Sequence, residues 1–370
     1  MSPWLIKVSL KDLSNVIHQS RNGLLEHSVF RCYSKYLFLS QAGLMLIKIT
    51  QSIVAFMMGM LLISHFAQAT KPQKQTPPDP GQWVTVNADG YQLAGKLLSA
   101  PDSQTAVLII AGSGPTDHNG NIQQMGMTNN SYLILAEGLL AAGYAVLRVD
   151  KRGIGRSANV QFKPEEALFG RYVADVVAWI RYLKTHHTKV VVMGHSLGGL
   201  MAIQAAQQES VDQLIMLASV AASGHDTIKR QMTDQPEFVS QAAIPLLERL
   251  RQGEKVPADE VPPYLHSLMG PAIQPYLRSF MNIEPRAELA AITTPTLVII
   301  GGTDIQITVA ETLAWVKDLG HVESRVITGM NHVLKPAPAD RTANLATYSQ
   351  ADLPLHPDLL PTIIAFLAEK

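Results

Sequence analysis

From Trp83 onward, short continuous apolar runs alternate with longer segments whose apolar positions recur every three or four residues. Val84–Asn87 and Leu93–Leu98 predict two short strands, separated by the turn signal Asp89-Gly90. Ala106–Ala111 (AVLIIA), Ala145–Val149, Lys189–Gly194, Gln213–Leu217 and Thr296–Ile300 read as strands covered on both faces, because none alternates apolar with polar positions. Ser324–Ile327 is a further strand. Between them, helical spacing marks Tyr132–Ala142, Tyr172–Lys184, Leu200–Gln208, Val309–Leu319 and Pro361–Glu369. In Tyr172–Lys184 the stripe is Val173, Val176, Val177, Ile180 and Leu183. Buried strands that alternate with helices predict an α/β domain whose central sheet is mostly parallel and flanked by helices. The alternation lapses at about 222–291, a stretch rich in Met, Pro and Gln, which reads as a helical cap inserted over one end of the sheet.

The N-terminal part follows a different pattern. Ile49–Phe66 contains an apolar centre, Ile53–Ile63, of eleven residues, short of the roughly 20 needed to span a bilayer. Lys48 precedes it and Ala67-Gln68-Ala69 follows. A positive flank, a short apolar stretch and a small-x-small ending predict a signal peptide over 45–69, with cleavage after Ala69 and export to a periplasmic or extracellular space. A retained membrane-anchor helix is the alternative, and membrane contact is expected only through this segment if it stays uncleaved. Residues 1–44 read as an extension ahead of a start near Met45, or as a long n-region. Residues 70–80, polar and proline-rich, read as a linker, and 81–370 as the folded domain that carries the cap. Cleavage would remove Cys32, the single cysteine.

Charge narrows the function classes. Lysine plus arginine equals aspartate plus glutamate, 30 against 30. Residues 1–69 carry a net +4, from Lys7, Lys11, Arg21, Arg31, Lys35 and Lys48 against Asp12 and Glu26, so the rest of the chain is slightly acidic. No basic surface is left over to favour nucleic acid. No His/Cys/Asp/Glu cluster has metal-ligand spacing, so no metal and no organic cofactor is expected.

Gly194-His195-Ser196-Leu197-Gly198 is a G-x-S-x-G pattern set between a strand and a helix. That context raises a serine hydroxyl above the sheet on a sharp turn. A serine needs a base to take its proton. Asp304 follows the strand Thr296–Ile300 and His332 follows the strand Ser324–Ile327, giving the order Ser, acid, His. His332 is the expected general base and Asp304 its orienting carboxylate. Asp304 has a second reading as N-cap of the helix Val309–Leu319, and Asp340 is the fallback acid. His118, His225, His266, His321 and His356 read as solvated or structural, and His195 as packing. The oxyanion donors are expected to be the backbone N–H of Leu197 and of Ser113, with Gly112 as second choice for the latter.

These motifs resemble a known family. AGSGPTDHNGN (Ala111–Asn121), LRVDKRGIGRS (Leu147–Ser157), GHSLGG (Gly194–Gly199), YLRSFMNIEP (Tyr276–Pro285), PTLVIIGGTDIQI (Pro295–Ile307) and GMNHVL (Gly329–Leu334) are similar to runs in bacterial α/β-hydrolases related to EstD-type carboxylesterases and serine aminopeptidase-like hydrolases. The resemblance extends from about Trp83 to the C-terminus. It implies the α/β-hydrolase fold, a Ser–Asp–His triad at Ser196, Asp304 and His332, and hydrolysis of carboxylic esters, usually with short acyl chains. Many relatives carry His-Gly where this chain has Ala111-Gly112. Asp117 and Arg152 lie in family-like loops and are expected either to contact substrate or to tether the two loops to each other. The expected partner is a small-molecule ester. The rival readings are a peptidase or acyltransferase on the same triad, and a non-catalytic secreted binding protein of the same fold.

Overall fold

The computed structural model describes residues 79–159 and 162–369. The segments read from the sequence as an extension and a signal peptide, and most of the one read as a linker, including Cys32 and Ala69, lie outside the described residues. Eight strands form one sheet, in the order β1 (Gln82–Ala88), β2 (Tyr91–Leu98), β4 (Ala145–Val149), β3 (Thr105–Ile110), β5 (Lys189–His195), β6 (Gln213–Leu217), β7 (Thr296–Gly301) and β8 (Val322–Ile327). The β1–β2 hairpin is antiparallel and turns at Asp89-Gly90, and β2 also runs antiparallel to β4; every other neighbour is parallel. The chain leaves β3 for β4 on one side, then returns past β3 to β5. This reversal opens a crevice above the carboxyl ends of β3 and β5, where open α/β sheets take their ligands.

Helices cover both faces. In chain order they are α1 (Ser131–Ala141), α2 (Phe169–Lys184), α3 (Leu197–Gln208), α4 (Gly224–Thr233), α5 (Glu237–Arg251), α6 (His266–Met269), α7 (Gln274–Phe280), α8 (Pro285–Ala290), α9 (Val309–Val316), α10 (Arg341–Ala346) and α11 (Leu359–Leu367). On one face Leu135 and Leu139 of α1, with Leu359, Ile363 and Phe366 of α11, pack against Val107, Val191, Ile215 and Leu297 of the sheet. α2 and α3 pack on each other and on β3 and β5, and the five-residue stripe of α2 is fully buried. β8, at the sheet's edge, is half exposed, as its Glu323, Ser324 and Arg325 require. Among the described residues no helix is long and apolar enough to cross a membrane.

The departures from the sequence reading have tertiary causes. α2 starts three residues early, at Phe169, whose N–H donates to Ser279 Oγ of α7 at 2.9 Å. α3 starts at Leu197, because Gly198 and Gly199 serve close packing and do not break the helix; a Cβ on Gly198 would lie 2.5 Å from the carbonyl oxygen of Ile110. α9 stops at Val316, since Lys317 is extended and Asp318 takes φ 62°. Its N-cap is Thr308, in a capping box with Glu311, so the N-cap reading of Asp304 does not hold. Asp340 caps α10 by accepting from Ala343 N–H at 2.9 Å.

The segment between β6 and β7 contains α4 to α8. Its apolar residues divide between two roles. Leu246, Leu247, Met269 and Phe280 are buried away from the cavity, Phe280 against Phe169 of α2. Met232 and Leu268 line the cavity above Ser196. Phe238 is exposed.

Candidate active site

Ser196 sits between β5 and α3 with φ 54° and ψ −127°. Such a backbone costs about 1–3 kcal/mol and persists only when its surroundings impose it. Here Ser196 N–H donates to Leu217 O at 2.9 Å, while Ser196 O accepts from Gly199 N–H at 3.0 Å and from Ser219 Oγ at 3.2 Å. The side chain is thereby held toward a cavity of about 100 Å³, whose walls include Gly112, Ser113, His195, Ser196 and His332. Gly112 is required there: a Cβ would fall 2.7 Å from Ser196 Cβ and 3.2 Å from its Oγ.

The loops after β7 and β8 are laced together, with Gly302 N–H donating to Ile327 O at 2.8 Å and Thr303 N–H to Met330 O at 3.0 Å. This lacing brings Asp304 to His332, and His332 Nδ1 donates to Asp304 Oδ2 at 2.8 Å. The carboxylate is fully buried. Its other oxygen accepts from Gln306 N–H at 2.7 Å and Ile307 N–H at 3.0 Å. Three donors satisfy a buried charge that would otherwise be costly. With its Nδ1 proton committed to Asp304, His332 keeps the Nε2 lone pair free for a proton. Among the described residues no hydrogen bond yet joins His332 to Ser196 Oγ, although both face the same cavity. Nucleophile–base contacts are commonly loose before substrate binds.

The neighbouring backbone is positioned by groups that the sequence does not single out. Lys151 Nζ donates to Gly112 O at 2.5 Å and also to Gly114 O. A trans peptide directs its N–H opposite its carbonyl, so this grip turns Ser113 N–H away from Lys151. Gly112 and Ser113 both line the cavity of Ser196. Leu197 N–H heads α3, where no preceding helical carbonyl serves it. Tyr132 OH donates to His195 Nδ1 at 2.7 Å, and His195 Nε2 donates to His332 O at 2.8 Å. His332 O can only accept, which fixes the tautomer of His195. Burial, with the His332 ring nearby, pushes the His195 pKa down to about 3, so it stays neutral. His195 thus ties the strand end to the loop of His332 and does more than pack.

Asp117 and Arg152 are not brought together. Asp117 Oδ1 accepts from Asn119 and Asn121 N–H, both at 2.9 Å, and closes its own loop. Arg152 pairs with Asp175 of α2 through Nε at 3.1 Å and through Nη2, and stacks over Tyr91. The expected Asp117–Arg152 tether is therefore wrong: α2 carries a carboxylate closer to Arg152 than the loop does. Neither residue lines the cavity of Ser196.

Lys151 has a measurable consequence. Burial pushes its pKa down to about 7, whereas an unfolded lysine holds its proton to about pH 10.4. Between these values the unfolded chain binds more protons, so stability rises with pH, by at most about 1.4 kcal/mol per unit. Lys335, pushed down to about 8 by burial, acts in the same direction over the upper part of the range. The urea midpoint is expected to climb between pH 7 and pH 9, and Lys151→Met is expected to flatten the climb. An equally steep climb in that variant would show that Lys151 titrates normally.

Sheet order, the turn at Ser196 and the order of strand-end residues make this chain an α/β-hydrolase by fold. The esterase Pf2001 of Pyrococcus furiosus aligns with it at a TM-score of 0.50 and 17% identity, over 80% of this chain and 94% of that one. Residues 123–267 match the family described as serine aminopeptidase, S33. That match includes Ser196 but ends before Asp304 and His332. Esterase EstD of Thermotoga maritima is 28% identical over 284 residues, which cover 73% of this chain and 65% of EstD. Phospholipase YtpA of Bacillus subtilis is 30% identical over 108 residues, covering 29% of this chain and 37% of YtpA. The chain thus spans just under two thirds of EstD and about a third of YtpA.

Proposed function

We propose that this chain is a serine hydrolase that cleaves carboxylic esters through an acyl-enzyme. The observation that carries this reading is the buried Asp304 bonded at 2.8 Å to His332 Nδ1, with His332 and Ser196 on one small cavity. Ser196 Oγ attacks the ester carbonyl while His332 Nε2 takes its proton. The carbonyl oxygen, now negative, is met by Leu197 and Ser113 N–H. His332 then returns the proton to the departing alkoxide, and a water repeats the sequence on the acyl-enzyme to release the acid. The names of EstD and YtpA agree with ester bonds as the target.

The cavity favours esters over aminoacyl substrates. Its walls are largely apolar, with Ile122, Met127, Val220, Ile228 and Met232, and no Asp or Glu lines it among the described residues. A free α-ammonium would find no counter-charge there, and an uncompensated charge is expensive to bury. The test is a panel of p-nitrophenyl esters against aminoacyl p-nitroanilides, with fluorophosphonate labelling alongside. Ester turnover and labelling at Ser196 are expected. Preferential anilide turnover would make it a peptidase, and absence of both turnover and label would make it a binding protein.

A further inference from the structure

A second chamber of about 420 Å³ lies beside the catalytic cavity, between the sheet's crevice and the segment that holds α6 and α7. The two share walls. Gly112 and Ser113 line the catalytic cavity, Gly114 and Pro115 line the chamber, and Leu268 of α6 lines both. We infer that this chamber is the acyl subsite of the ester reaction proposed above, on which the inference rests, and that Leu268 is the gate through which a medium-length apolar acyl chain enters it.

Volume, side and chemistry support this assignment. The catalytic cavity holds only about 100 Å³, below the roughly 300–1,000 Å³ of small-molecule sites, a range the chamber falls within. The departing alkoxide must lie within reach of His332 to be protonated. His332, Val333, Gln306 and Ile307 all line the catalytic cavity, so the alcohol half belongs there. The chamber is lined by no residue of the Asp304 or His332 loops. It meets the catalytic cavity along the Gly112–Pro115 loop and Leu268, which leaves it the acyl half.

The lining fixes the ligand class. Phe162, Met201, Leu277 and an edge-to-face pair, Tyr172 and Tyr276 with ring centroids 5.9 Å apart, supply apolar walls. The charged or basic side chains there are already engaged. Lys151 holds Gly112 O and Gly114 O, Arg152 holds Asp175, and His266 Nε2 holds Val261 O at 2.8 Å. The chamber therefore presents apolar surface without a group reserved for a charged ligand.

Burying each methylene multiplies binding by up to about fourfold, so kcat/KM for p-nitrophenyl esters is expected to rise from acetate to decanoate in the wild type. Ala272 is exposed where it borders the chamber, and Ala272→Trp fills the space from the rim. The decanoate-to-acetate ratio of kcat/KM is expected to fall at least about tenfold in Ala272→Trp and to rise in Leu268→Ala. Because the readout is a ratio within each variant, a general loss of folded protein cancels. Decanoate binding, measured by calorimetry on wild type and Ala272→Trp, reads the subsite without turnover. If neither ester turns over yet decanoate binds and Ala272→Trp abolishes binding, the ester reading fails and the subsite stands. A ratio and a decanoate affinity both unchanged by Ala272→Trp overturn the subsite.

Discussion

Ser196→Ala is expected to lower kcat for a p-nitrophenyl ester by at least about 10⁴-fold, with KM little changed. The hydroxyl is the only protein group in the proposed reaction that bonds to the acyl carbon, so its loss removes the covalent route entirely. A residual rate is expected, because the oxyanion donors and the binding walls of triad enzymes alone retain about 10³–10⁴-fold catalysis over water. Folding should be spared: the hydrogen bonds that hold Ser196 in its left-handed conformation use its backbone N–H and carbonyl, and alanine keeps both. The strain remains, since alanine avoids positive φ no better than serine does. Single-turnover kinetics on the purified variant would check the drop, and a rate within tenfold of wild type would place the nucleophile elsewhere.

Asp304→Asn is expected to cost about 10⁴-fold in kcat while leaving the fold intact, and the reason lies in the carboxylate's three bonds. Oδ1 accepts from Gln306 and Ile307 N–H, so the amide oxygen of asparagine must take that position. The amide NH₂ then faces His332 Nδ1 and donates to it. His332 is forced to carry its proton on Nε2, and the lone pair that should receive the Ser196 proton is gone. The check is kcat together with thermal melting: activity should collapse without a comparable fall in Tm. Asp340→Asn, which alters only the N-cap of α10, should leave kcat near wild type. Were Asp340→Asn the damaging change, the acid would have to be reassigned.

Lys151 carries a different lesson. Its grip on Gly112 O and Gly114 O is a contact between the β4–α2 connection and the loop after β3, and nothing local to D-K-R-G announces it. The same holds for Tyr132, whose hydroxyl lies in an ordinary helical stripe, and for His195, which the sequence presents as packing inside the elbow. A signal did exist for His195, since a polar residue facing inward at a strand end needs a partner. Arg152 shows the converse failure. The sequence offers Asp117 as a loop partner, but Asp175, on the inner side of α2, reaches it instead.

The sequence by itself determined the alternation of strand and helix, the sharp turn at Ser196, and the strand-end positions of Asp304 and His332. These features follow from short-range periodicity and from glycine and proline punctuation, which act within a few residues. The tertiary structure decided which loops meet above the sheet. It set the early start of α2 on Ser279, the bond of Tyr132 to His195, the tautomer of His195 and the partner of Arg152. It also divided the apolar residues of the segment between β6 and β7 into core and cavity wall. The physical reason is that strand order, with β3 between β4 and β5, brings together groups far apart along the chain, and no local pattern encodes those distances.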